Sequence, residues 1–174
     1  TRRRRRSETF AGTLAVLTPG QASLAWGVGM EIGLPSDVQH AALGPIPFVY
    51  AVASHHQLAQ ATEHLCDALL QQHRAVAVAD SVSRGAGLTI GLLGGQDVFT
   101  VPDMASKLEA QIRGLGGGFL PESLARPYIE SGLLVAKTVQ KPRISNCHYA
   151  WRDSKLAPAG QALRWWLSQL ERIA

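Results

Sequence analysis

The order of elements along this chain predicts an α/β fold, and three observations carry the prediction. Strand-like runs alternate with helical runs of about ten residues over most of the length. The run AVAVA at Ala75 to Ala79 is apolar without interruption, as in a strand covered on both faces. Helix boundaries are also written locally, with Asp103 before one amphipathic run, Gly114 after it, and Pro158 in the first turn of another. Largely parallel sheets with helices packed against them follow.

The elements read in order as follows. The Arg-rich opening is a strand candidate, followed by a helix over Glu8 to Leu17, a strand over Ala22 to Trp26, a loop rich in Gly and Pro, and a strand over Ile46 to Ala53. A helix over Thr62 to Gln72 precedes the strand Ala75 to Ala79, and strands near Leu88 to Leu93 and Asp97 to Val101 come next. Asp103 is a natural N-cap, with Pro102 before it; Met104, Leu108, Ile112 and Leu115 then recur at helical spacing, and Gly114 ends the helix. A short strand at Gly118 to Leu120, a helix over Glu122 to Ile129 and strands near Leu134 to Val139 and Asn146 to Trp151 complete the alternation. The final helix places Ala159, Ala162, Leu163, Trp166, Leu167, Leu170 and Ile173 on one face and leaves Trp165 off it.

The 174 residues suffice for one domain or two small lobes with a buried core. Net charge is +4, but Arg2 to Arg6 alone contribute five positive charges, so the remainder is nearly neutral and a broad nucleic-acid face is not indicated. The block reads as a basic arm for phosphate backbones, as an exposed or disordered edge, or as a consequence of where the chain end is defined. Neither an apolar run of membrane-spanning length nor a secretory start is visible, and the two cysteines, Cys66 and Cys147, lack metal or redox spacing. A soluble cytoplasmic protein with packed thiols is expected.

Residues for catalysis or metal binding do not assemble. His55 and His56 are adjacent and diverge in any regular structure, His64 and His73 flank one helix, and His40 and His148 stand alone. No nucleophile elbow, zinc-protease helix or phosphate loop occurs. The cluster Gly114, Gly116, Gly117 and Gly118 follows a helix and precedes a strand, the reverse of a dinucleotide turn. No metal, cofactor or reaction is expected. A small-molecule site is better supported, because the helix start at Asp103 presents free N–H groups and partial positive charge.

The segment GLGGGFLP at Gly114 to Pro121, followed by SGLLV at Ser131 to Val135, resembles the glycine-rich and Leu-Pro segment of the effector-binding domain of LysR-type transcriptional regulators. HHQLA at His55 to Ala59 resembles that family's entry into its second lobe, and LTPGQASLAWGVG at Leu17 to Gly29 resembles its helix-to-strand element. The resemblance covers the chain from about Glu8 onward. Gly117 stands where a bulky apolar residue is usual and Ser23 where Asp is common.

The resemblance implies two Rossmann-like lobes joined by two crossing strands, as in periplasmic solute-binding proteins. Mapped onto this chain, the first lobe takes residues 1–52 and 119–174 and the second takes 53–118. It also implies that a first strand, a helix and a winged helix-turn-helix would precede these elements, so the chain reads as an effector domain truncated at its start, with its first lobe incomplete. DNA would then be contacted only through the absent head. The implied partners are a small-molecule effector bound between the lobes and further copies of the chain, as a dimer or tetramer. Position by position, the effector contacts carried over are Trp26, Gly27, Ser81, Ser83, Thr100, Val101, Pro102, Asp103, Phe119 and Pro121. Each has a plainer reading, since Asp103 caps a helix, Ser81 and Ser83 suit turns, and Phe119 suits a core. The rivals are a free-standing solute-binding protein of a transport system and an α/β enzyme using Cys66 or a histidine.

Overall fold

The computed structural model describes residues 17, 22–28, 35–62, 64–79, 92–152 and 160–173. Strands are β1 (Leu24–Val28), β2 (Val38–Ala53), β3 (Ala75–Val78), β4 (Val98–Val101), β5 (Gly118–Pro121), β6 (Leu134–Lys137) and β7 (Arg143–Arg152). Helices are α1 (Asp67–Leu70), α2 (Met104–Ile112), α3 (Glu122–Glu130) and α4 (Gln161–Leu170), with a 3-10 turn at Gln57–Gln60. One sheet has the order β1-β7-β2-β5 with β6 also on β2, and β3 and β4 form a second. Contacts divide the chain into Thr1–Ile46 with Ser145–Ala174, and Pro47–Ile144.

In the second unit the C-terminal half of β2 is the central strand. β5 lies along one edge, from Phe48 opposite Pro121 to Ala51 opposite Gly118, and β6 pairs from Tyr50 opposite Lys137 to Ala53 opposite Leu134. Both are antiparallel to β2 and therefore parallel to each other, with α3 as the crossover between them. Alternation along β2 sends Tyr50 and Val52 into a cluster with Leu58, Leu65, Leu70 and Phe119, while Ala51 joins Leu108, Leu120, Ala125 and Leu134. These pairings hold residues 47–52 and 119–144, which the resemblance assigned to the first lobe, in the unit of β3 and α2. β3 and β4 are parallel, from Ala75 opposite Val98 to Val78 opposite Val101, and a single bridge from Ala75 to Gly117 ties β3 to β5. Largely parallel sheets were expected. β3 and β4 form a parallel ladder, whereas β1, β5 and β6 each run against the strand they pair with.

The glycine motifs act as helix stops. At the end of α2, Leu115 N donates to Ala110 O at 3.0 Å and Gly114 N to Gln111 O at 2.9 Å, with Gly114 at φ 75°. At the end of α3, Leu133 N donates to Tyr128 O and Gly132 N to Ile129 O, each at 3.0 Å, with Gly132 at φ 76°. Both are Schellman closures, which need a left-handed residue at the glycine.

Three elements differ from expectation. The helix over Thr62 to Gln72 shrinks to Asp67–Leu70, because Leu65 is extended: its N–H donates to Thr138 O and its carbonyl accepts from Gln140 N, bridging it to Val139. Cys66 consequently caps a short helix instead of lining a long one. β2 begins at Val38, eight residues before the expected Ile46, with Gly44 and Pro45 carried inside the strand. Residues 88–91 lie outside the described residues, and Leu92 and Leu93 form no strand.

In the first unit β1 pairs antiparallel with β7, from Leu24 opposite Trp151 to Val28 opposite Cys147, over a cluster of Leu17, Ala25, Val38 and Ala150. Leu17 is the one described residue of the helix expected over Glu8 to Leu17; the Arg block and Pro158 also lie outside the described residues. α4 starts after Gly160 and buries no residue fully, although Leu163, Trp166, Leu167 and Leu170 are half-buried.

Candidate ligand-binding site

The parallel strands β3 and β4 end side by side, with Ala79 N donating to Val101 O at 2.8 Å. The carboxyl ends of parallel strands, beside a helix start, are where open α/β sheets place ligands. Here β4 leads directly into α2. Thr100 and Pro102 are exposed, Val101 is buried against Val76 and Ala110, and Asp103 is the N-cap. The Asp103 carboxylate accepts from Ser106 N at 2.7 Å. That hydrogen bond holds its pKa below the ordinary carboxylate value. The carboxylate is therefore already engaged as a cap, and the hydroxyl of Thr100 is the more available polar group. Ser81 and Ser83, expected just beyond β3, lie outside the described residues.

The remaining candidates stand elsewhere. Phe119 is buried in β5, edge-on to Tyr50 at 5.3 Å between ring centroids, with the Arg143 guanidinium 4.8 Å from its own centroid. Pro121 ends β5 and precedes α3, half-buried. In the other unit, Trp26 is 54% exposed on β1 opposite Tyr149, and Gly27 lies opposite His148. Phe119 borders two cavities of the second unit, of about 30 and about 90 Å³, and neither is lined by Thr100, Val101, Pro102 or Asp103. Thr100 to Asp103 thus form one contiguous group, and Phe119 belongs to a different packing cluster.

In and beside the smaller cavity lie buried polar residues that sequence reasoning passed over. Lys107 and Gln111 are 7% and 0% exposed on α2, and Tyr50 is 4% exposed on β2. Burial, reinforced by Arg143, lowers the Lys107 pKa to about 8, and burial pushes Tyr50 up to about 12. Two polar residues four apart, bordering the apolar stripe of a helix that leads into a glycine run, were the available signal. No group of three or more His, Cys, Asp or Glu that could hold a metal occurs among the described residues. His56 and His73 have ring centroids 5.5 Å apart, and His56 Nδ1 already accepts from Leu58 N at 3.1 Å.

Residues 8–172 match the family model described as the LysR substrate binding domain. The chain belongs to that family. It is 35% identical over 162 residues to the uncharacterized HTH-type transcriptional regulator YeeY of Escherichia coli K12, covering 92% of this chain and 52% of that protein. It is 34% identical over 131 residues to the HTH-type transcriptional activator AllS of Klebsiella pneumoniae, covering 75% of this chain and 48% of that one. Among solved structures, full-length LysG of Corynebacterium glutamicum with bound effector Arg superposes with a TM-score of 0.63 at 20% identity, covering 97% of this chain and 56% of that one. The two-lobe α/β class, resembling periplasmic binding proteins, is the fold of this LysR domain. The chain spans about half the length of the curated relatives it matches. Those relatives are transcriptional regulators, and no helix among the described residues is long and apolar enough to cross a membrane.

Proposed function

We propose that this chain is the effector-sensing part of a cytoplasmic LysR-type transcriptional regulator: it binds a small molecule, carries out no reaction, and reports occupancy to a DNA-binding head. The observation that carries this reading is the family match over residues 8–172, joined to relatives that are HTH-type regulators. A ligand changes such a regulator only through unequal affinity for two arrangements of the protein. The two units correspond in this reading to the family's two lobes. Candidate contacts carried over by the resemblance are Thr100, Val101, Pro102 and Asp103 at the start of α2, together with Ser81, Ser83, Phe119, Pro121, Trp26 and Gly27. A free-standing transport protein gains no support from these relatives.

Self-association belongs to the same proposal. Trp26, Ile144, Trp165 and Ile173 are large apolar residues exposed to solvent, the kind of surface that a second copy covers. Sedimentation reads the outcome, and a strictly monomeric chain at high concentration contradicts it.

Titration calorimetry against free amino acids and short aliphatic and aromatic acids tests the ligand reading. Thr100→Val keeps the side-chain shape and removes one hydroxyl, so ligand affinity falls by about 0.5–1.5 kcal/mol while the melting temperature holds. A ligand whose affinity is indifferent to Thr100→Val, Ser81→Ala and Ser83→Ala refutes the placement.

A further inference from the structure

The polar group around β5 is built in a way that apolar packing does not require. Tyr50 Oη and both side-chain atoms of Gln111, Nε2 and Oε1, are buried without a hydrogen-bond partner. Lys107, 7% exposed, makes no side-chain hydrogen bond or ion pair among the described residues. Leaving several such groups unpaired is costly, and native proteins seldom do it. Gly117 and Gly118 make the arrangement possible. A Cβ on Gly118 would stand 2.8 Å from Gln111 Nε2 and 3.2 Å from Lys107 Cε, and one on Gly117 would stand 2.5 Å from Tyr50 Oη.

Tyr50 and Lys107 face a notch where two strands part, and Gln111 stands beside Gly118 in its wall. β3 and β5 are bridged once, at Ala75 and Gly117, with Val76 N donating to Gly117 O at 2.8 Å; beyond that bridge the cavity of about 30 Å³ opens. Tyr50, Lys107, Gly118, Phe119 and Val76 line it. Gln96 is also in the wall, but its amide is spent: Nε2 donates to Leu70 O and His73 O, and Oε1 accepts from Leu93 N. Among the described residues no carboxylate lines this cavity, and Asp67, beside the larger one, is paired with Lys141.

Among the described residues the available groups are therefore rich in donors and include one ammonium with no carboxylate beside it. Water would satisfy the hydroxyl and the amide, yet it brings no negative charge to Lys107. We propose that Lys107 and Tyr50 form a binding site for a small monovalent anion, of carboxylate or halide type, in the notch between β3 and β5. The volume suits such an ion, since a single water-sized position takes roughly 10–15 Å³. The ammonium and the tyrosine hydroxyl donate to the anion. This site is separate from the candidate contacts at Thr100 to Asp103.

The probe is ¹³C-formate, followed by NMR line broadening with the 174-residue chain. Saturable broadening is expected with the unsubstituted chain. Lys107→Met weakens the affinity at least tenfold, and Tyr50→Phe, which removes only the hydroxyl, weakens it about three- to tenfold. Lys141→Met, at the exposed pair with Asp67, leaves it unchanged. Displacement of formate by chloride assigns the site to inorganic anions, and displacement by acetate alone assigns it to carboxylates; either result supports the proposal. Absence of saturable broadening with the unsubstituted chain overturns it, as does equal binding by Lys107→Met or Tyr50→Phe.

Discussion

Lys107 carries the largest electrostatic penalty resolved in the second unit. Its pKa falls from 10.5 to about 8, chiefly through burial and then through Arg143. Between about pH 8 and 10.5 the unfolded chain holds a proton there that the folded chain has released, so stability rises with pH across that window; below it both states are charged and the full penalty applies. The penalty is on the order of 3 kcal/mol. Lys107→Met is accordingly expected to raise the unfolding free energy at pH 7 by up to about 3 kcal/mol, with the advantage shrinking as pH approaches 10. Urea denaturation at several pH values checks this, and a less stable variant at pH 7 contradicts it. Tyr50 has the opposite sign at higher pH. Its folded pKa of about 12 exceeds the ordinary 10, so the unfolded chain ionises first and stability falls above about pH 10. If formate occupies the notch, adding it narrows the gap between the unsubstituted chain and Lys107→Met.

At the scale of elements, the two Schellman stops make a clean comparison. Nothing lies within 4 Å of a Cβ built on Gly132, so Gly132→Ala costs only the strained backbone, about 1–2 kcal/mol. Gly132→Asn, which tolerates the left-handed conformation better, loses less. An Ala variant as stable as the parent in urea would show that α3 does not need its left-handed stop. The Gly114 stop, the Asp103 cap and the Met104, Leu108 and Ile112 stripe were legible in the sequence because each is a local device. The short α1 was not. Apolar spacing over Thr62 to Gln72 suits a helix, and only the tertiary bridge of Leu65 to Val139 pulls its first half into extended backbone. β2 hid its first half in the same way, since Gly44 and Pro45 interrupt the residues that pairing nevertheless keeps as strand. At the candidate site, the start of α2 could be read from Asp103. The Lys107, Gln111 and Tyr50 group could not, because it depends on β5 lying against α2 and β2.

For the whole molecule, the family match gives the chain its class, and the two proposed ligand sites are the start of α2, with the Thr100 hydroxyl, and the notch lined by Lys107. The central claim is that the chain senses a ligand and leaves it chemically unchanged. Saturation-transfer proton NMR on a mixture of free amino acids and short organic acids tests both halves in one sample. The account predicts that at least one component takes up saturation from the protein and that every component's spectrum is the same after a day of incubation. A mixture in which nothing binds, or one in which the bound component is consumed while a new spectrum grows, contradicts it.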